Sequence, residues 1–207
     1  VSTIEIIENA SVPQIAEAIC GIVRDALTES EGPVAIAVPG GSTPFPIMER
    51  IAQSDLDFPR LVVWPGDDRV VPPDHPASNE GRIRAIFEPA GAEVATLSIM
   101  EQVPQFALVW LGMGEDGHVA SLFPNTDPQI DASQAITRIT PDPLPPEAPF
   151  DRVSLTLPAL LNSGRILFTL GGSEAKRRVF DEARAGANDL PIARLLAAAE
   201  QQVTCFA

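Results

Sequence analysis

Two histidines occur in the 207-residue chain, and one of them stands where a proton-transfer group would be useful. His118 closes the run Gly112-Met113-Gly114-Glu115-Asp116-Gly117-His118, directly after the apolar stretch Phe106–Leu111. Imidazole takes and returns a proton near neutral pH, which hydrolysis of an ester requires. Asp116, two residues earlier, offers a carboxylate of the kind that orients an imidazole in other histidine-based sites. The second histidine, His75, lies in Pro72-Pro73-Asp74-His75-Pro76 and reads as a solvated loop residue.

Three further segments carry groups suited to an anion. Arg69, in Asp67-Asp68-Arg69, can hold a phosphate with two parallel N–H donors. Lys176 follows Gly171-Gly172-Ser173 in the first turn of an expected helix. A cation is unfavourable at that end of the helix dipole, so a bound anion would account for it. Gly40-Gly41-Ser42-Thr43 joins an apolar run to a helical one. Such a turn offers unpaired N–H groups, hydroxyl donors and a close backbone approach. It lacks the Lys-Ser/Thr ending of a nucleotide-binding P-loop. Gly112-x-Gly114-x-x-Gly117 has the spacing of a dinucleotide fingerprint, with an acid at Asp131, but no helix follows it and no strand precedes Asp131. No His/Cys cluster or carboxylate array has metal-ligand spacing, so neither metal nor cofactor is expected.

These groups need elements to hold them. Thr3–Glu8 alternates like a strand. Ser11 caps a helix whose stripe is Ile15, Ile19, Ile22, Val23, Ala26 and Leu27. Val34–Val38, Leu61–Trp64, Phe106–Leu111 and Arg165–Leu170 are short apolar runs typical of buried strands. Arg152–Thr156 alternates, and Val203–Phe206 reads as a last edge strand. Helical patterns follow Pro44 to about Gln53, cover Asn79–Ile86, run from Gly171-Gly172-Ser173 through Arg184, and cover Pro191–Glu200. Gly66–Ser78 reads as a polar loop, and Pro141–Pro149 as a rigid proline-rich one. Strand–helix alternation argues an α/β fold with a mainly parallel sheet. Ligands of such sheets sit beyond the carboxyl ends of the strands, where the three glycine turns would converge.

The length fits one domain, 1–207, with no linker that divides it. A formal charge of −14 repels nucleic acid and anionic membranes, so neither is an expected partner. No apolar run reaches the roughly 18 residues needed to cross a bilayer, and no basic-then-apolar leader is visible. Cys20 and Cys205 have no pairing motif, and Cys20 falls in an apolar helical stripe as a small buried side chain. That usage suits a reducing cytoplasm.

Together the segments resemble the 6-phosphogluconolactonase family. The matching pieces, in order, are Pro39-Gly40-Gly41-Ser42-Thr43-Pro44; Asp67-Asp68-Arg69 with Val71-Pro72 and Ser78-Asn79; Leu111 through Pro124; Arg152 through Pro158; and Gly171 through Lys176. The resemblance implies a Rossmann-like three-layer sandwich, shared with glucosamine-6-phosphate deaminase and ribose-5-phosphate isomerase. It implies metal-free hydrolysis of 6-phospho-D-glucono-1,5-lactone in the pentose phosphate pathway, by a monomer or weak homo-oligomer. By motif position, His118 is the water-activating base and Asp116 its neighbour. Arg69 and Lys176 bind phosphate, and Gly40, Gly41, Ser42 and Thr43 line its site. Asp67 and Gly117 complete the substrate site, and Arg152 is a further phosphate contact. The family usually reads Asp-Glu-Arg where this chain has Asp68 in the middle. The chain is also short around residues 88–105 and 125–150, and it lacks an acid often found near the C-terminal end. Two other readings are a sugar-phosphate isomerase or deaminase of the same fold and a non-catalytic sugar-phosphate sensor. The deaminases typically follow the histidine with Ala-Phe-Asn-Glu-Pro, and Ala120-Ser121-Leu122-Phe123-Pro124 lacks that acid. No helix-turn-helix segment or basic surface precedes the domain to suit a sensor.

Overall fold

The computed structural model describes residues 3–146 and 148–207. In chain order the elements are β1 (Ile4–Ile7), α1 (Val12–Glu29), β2 (Val34–Val38), α2 (Pro44–Ile51), β3 (Leu61–Pro65), β4 (Asp67–Arg69), α3 (Asn79–Phe87) and β5 (Glu93–Val94). There follow β6 (Phe106–Leu111), β7 (Ile136–Ile139), β8 (Arg152–Leu155), α4 (Leu157–Leu161), β9 (Ser163–Thr169), α5 (Glu174–Arg184), α6 (Pro191–Ala198) and β10 (Gln202–Phe206). Seven strands pair in the order β1-β10-β9-β6-β2-β3-β5, all parallel. A second, antiparallel sheet has the order β4-β8-β7.

Strand periodicity creates two cores. Along β6, Val109 and Leu111 enter one core while Leu108 and Trp110 enter the other. Helices α1, α2 and α3 cover the second of these. On α1 the buried residues Ile15, Ile19, Val23 and Leu27 recur every fourth position. Helices α4, α5 and α6 cover the opposite face, together with Ile136 and Leu155 of the small sheet. The result is the expected three-layer sandwich. Trp110 and Phe168 are fully buried, one in each core, and each contributes about 1.5–3 kcal/mol by leaving water. Cys20 and Cys205 fall in different cores, so the sheet separates them. Burial pushes the Cys205 thiol up to about 12, which keeps it an inert thiol.

Several expected elements change. β10 is not an edge strand: it lies between β1 and β9, and β1 and β5 form the edges. Gly66–Ser78 is not all loop, because Asp67–Arg69 pairs with β8. The stretch before the proline-rich loop holds an unexpected strand, β7, which pairs Ile136–Ile139 with Leu155–Arg152. His75 is half-buried rather than solvated: its Nδ1 accepts from Ala77 N at 3.0 Å, and its ring meets Phe150 edge-on at 5.4 Å. No helix among the described residues is long and apolar enough to cross a membrane.

Strand order reverses between β2 and β6. From β2 the sheet proceeds through β3, and from β6 through β9. The turns that follow β2, β6 and β9 therefore open beside one another at the same end of the sheet, at its switch point.

Candidate active site

Those turns enclose a cleft of about 400 Å³. Its wall includes Gly40, Gly41, Ser42 and Thr43 after β2, Gly112, Gly114 and His118 after β6, and Thr169 and Lys176 from β9 and α5. The small sheet adds Asp67 and Arg69, and α3 adds Asn79. Segments far apart in sequence thus supply one imidazole, one guanidinium and one ammonium to a single space. The floor is fixed from below, where buried Trp110 donates Nε1–H to Thr169 Oγ1 at 3.1 Å.

The imidazole is oriented by its own turn. His118 Nδ1 lies 2.6 Å from Asp116 Oδ1, and His118 N–H donates to the same oxygen at 3.2 Å. A carboxylate only accepts, so Nδ1 carries the proton and Nε2 keeps a lone pair. The Phe123 ring, 4.6 Å away between centroids, packs against the imidazole. Glycine is required here for two reasons. A Cβ on Gly114 would overlap the His118 ring and the Asp116 carboxylate. Gly117 has φ +81°, and a Cβ there would approach Leu190 to 2.7 Å. Burial works to raise the Asp116 carboxyl, but the hydrogen bonds from His118 and the attraction of its charged form outweigh that and hold it below the usual 3.8. Asp116 is therefore ionised at neutral pH and available to stabilise an imidazolium.

The arginine is held by a different construction. In β4 alternate side chains share a face, so Asp67 and Arg69 turn to the cleft and Asp68 turns away. Asp68 is buried and accepts from Arg69 N at 2.7 Å, Ser78 Oγ at 3.0 Å, Asn79 N at 2.6 Å and Glu80 N at 3.1 Å. It joins the strand to the N-terminus of α3, whose free N–H groups and dipole favour a carboxylate. The unusual middle acid is thus a helix anchor. Asn79, 2% exposed, accepts from Arg69 Nη1 at 2.9 Å and donates to Asp67 O at 3.0 Å. Ala77 O takes a second bond from Nη1 at 3.0 Å. Among the described residues Nη2 of Arg69 has no hydrogen-bond partner and Nε is buried without one, so Nη2 is the guanidinium nitrogen left for an anion. Gly40 makes room for this, since a Cβ there would collide with the Asn79 side chain.

Three expected contributors sit outside the cleft wall. Arg152 is 3% exposed and donates to Phe150 O at 2.7 Å and Ala148 O at 2.9 Å. It pairs across strands with Arg69, and burial first, then that like charge, pushes its guanidinium below the usual arginine value. Its donors are turned to the 148–150 loop rather than to the cleft. Asp116 and Gly117 stand behind His118 and shape the turn. The β2 turn also offers fewer backbone donors than expected, because Pro44 and Pro46 occupy the first turn of α2 and carry no N–H. Asn79 and Ser121, both buried and both tied to Asp67, were not singled out by sequence reasoning. A signal for Lys176 was available: it is the only lysine in the chain. Among the described residues no group of three or more His, Cys, Asp or Glu is arranged to hold a metal ion. A larger cleft of about 930 Å³ lies beside α6, but its Arg194 is already paired with Asp127 and Asp189 and no histidine lines it.

The model of a family described as glucosamine-6-phosphate isomerases/6-phosphogluconolactonase matches residues 8–92 and 88–205. A 6-phosphogluconolactonase of Neisseria meningitidis is 34% identical over 207 residues, covering 87% of each chain. One of Mesorhizobium japonicum is 32% identical, covering 94% of this chain and 91% of the relative. The crystal structure of a 6-phosphogluconolactonase from Shewanella baltica superposes with a TM-score of 0.81 at 25% identity, covering 100% of this chain and 97% of the other.

Proposed function

The chain belongs to the glucosamine-6-phosphate isomerase/6-phosphogluconolactonase family, and from that premise we propose that it hydrolyses 6-phospho-D-glucono-1,5-lactone with His118 as general base. The relatives' shared name supports the lactonase over the isomerase or deaminase reading. The observation that carries the mechanism is the tautomer. Nδ1 is committed to Asp116, and the same imidazole borders the cleft that holds Arg69 and Lys176.

Nε2 of His118 takes a proton from water, and the hydroxide equivalent adds to the lactone carbonyl C1. Asp116 stabilises the imidazolium as it forms. The tetrahedral intermediate then expels the ring oxygen, which receives the proton from Nε2, and 6-phosphogluconate results. The Arg69 guanidinium, the Lys176 ammonium and the Ser42 and Thr43 hydroxyls bind the 6-phosphate. That binding holds C1 near the imidazole, so affinity at one end becomes orientation at the other. The described residues form one catalytic domain, a reading supported by the pairing of β1 with β10, which ties together both ends of the described chain.

The test is acid release from freshly generated lactone, corrected for spontaneous opening. Saturable acceleration is expected, with the unphosphorylated lactone a poor substrate. No acceleration above the spontaneous rate would overturn the reading.

A further inference from the structure

Resting on that reading, we infer that Ser121 is a positioning residue that links the general base to the phosphate grip, and that selectivity for the phosphorylated lactone runs through it. Ser121 is 1% exposed and follows His118 by three residues, in the same turn. Its hydroxyl donates to Asp67 Oδ2 at 2.5 Å. Its N–H donates to Ser154 Oγ at 3.2 Å. Ser154 is the cross-strand partner of Asp67, so Ser121 is seated on a single pair of the small sheet.

From Asp67 the chain of bonds continues. Asp67 O accepts from Asn79 Nδ2 at 3.0 Å, and Asn79 Oδ1 accepts from Arg69 Nη1 at 2.9 Å. A hydrogen-bonded path therefore runs from the turn carrying His118 to the guanidinium, entirely through side chains and backbone packed beside the cleft. The turn extends from β6 of the large sheet and the small sheet pairs β4 with β8; Val119 and Leu122 of the turn pack in one core with Ile136 and Leu155 of the small sheet, and Ser121 adds the polar link. Ala120, just before Ser121, has φ +50°, a left-handed conformation that is unfavourable for alanine. The backbone is held in that unfavourable bend while Ser121 engages both strands.

The consequence is geometric. A substrate anchored by its phosphate presents C1 at a distance set by the anchor, and the base must stand at that same distance. Misplacement by about 1 Å can cost 10²-fold in rate. A lactone without phosphate is not held by Arg69 and finds the imidazole by diffusion, so it is insensitive to the spacing. Removing the Ser121 hydroxyl should thus lower turnover of the phosphorylated lactone selectively.

The experiment compares native protein with Ser121→Ala and with the near-isosteric Ser121→Cys. The readout is the ratio of kcat/KM for 6-phosphogluconolactone to that for unphosphorylated gluconolactone. The expected result is a ratio reduced by about 10- to 100-fold in Ser121→Ala, with the loss in kcat and with KM near native. Ser121→Cys, which keeps volume but donates weakly, should fall between. A native ratio in folded Ser121→Ala or Ser121→Cys overturns the inference, whether both rates are unchanged or both fall together as a general structural defect would make them. Failure of the functional reading looks different: there the native protein itself would show no preference for the phosphorylated lactone.

Discussion

Asp68 and Asp116 are both carboxylates adjacent to a functional group, yet they are built into opposite kinds of surroundings. Asp68 is buried and accepts four hydrogen bonds, three of them from backbone N–H groups. Asp116 has a side chain about half exposed, and both bonds to its Oδ1 come from His118. The first joins β4 to α3 and fixes where Arg69 emerges. The second is left with a partner that changes charge. A carboxylate whose capacity is consumed by the backbone holds a frame, whereas one committed to an imidazole serves a reaction.

Substitution should separate the two. Asp68→Ala strands several buried donors and should cost about 3 kcal/mol or more of folding stability, read from the denaturant midpoint. The folded fraction should keep much of its turnover. Asp116→Ala should change stability by less than about 1 kcal/mol, since a half-exposed partner is replaced by water, while kcat falls by about 10²-fold. An Asp116 variant that unfolds, or an Asp68 variant that is stable but inactive, would break the distinction.

Arg69→Ala sharpens it from the side of the frame. One charge-assisted contact to phosphate is lost, worth about 1.5–3 kcal/mol. The effect on catalysis should fall mainly on KM for the phosphorylated lactone, and the midpoint of unfolding should drop less than in Asp68→Ala, because one buried acceptor, Asn79 Oδ1, is left unpaired. A loss confined to kcat would contradict a binding role.

pH gives a smaller but signed effect. The folded carboxyl of Asp116 lies below 3.8, so its contribution to stability is fully present above that value and is lost as pH falls through the lower folded value. Asp116 therefore stays ionised wherever an imidazole titrates, between about pH 5 and 8. The rate should fall on the acid side as the general base takes up a proton, and that limb should be absent from the residual activity of a His118 variant. The smallest expected effect is that of exhaustive chelation, which should leave the rate unchanged. Recovery of a chelator-suppressed rate on adding zinc or magnesium would place a metal in the mechanism.

The glycine turns after β2, β6 and β9 were legible in the sequence because each follows a short apolar run that cannot continue as a strand. His118 was legible because it ends one of them. The α/β class with a mainly parallel sheet was legible from strand–helix alternation, and the three layers from the resemblance. Strand order was not: the pattern of Val203–Phe206 says that the segment is buried, not that β1 will pair on its far side. β4 was hidden because Asp67-Asp68-Arg69 has no apolar side chain, and its pairing is fixed by β8. The direction of Arg152 was hidden too. The resemblance implied a phosphate contact for it; the register sets it opposite Arg69, and the carbonyls that capture it come from a loop whose path no periodicity records. Asn79 and Ser121 escaped notice because an amide and a hydroxyl gain their meaning only from what lies opposite them.

The most direct measurement is single-turnover hydrolysis of freshly made 6-phosphogluconolactone by native protein and by His118→Ala, with folding checked by thermal melting and phosphate-site occupancy by product inhibition. His118 sits on a turn beyond the sheet, and the anion groups come from other segments. Fold and product binding should therefore survive, while the rate falls by about 10² to 10⁴. A folded, product-binding His118→Ala protein with a near-native rate would contradict the general-base assignment and transfer it to Asp116 or Asp67.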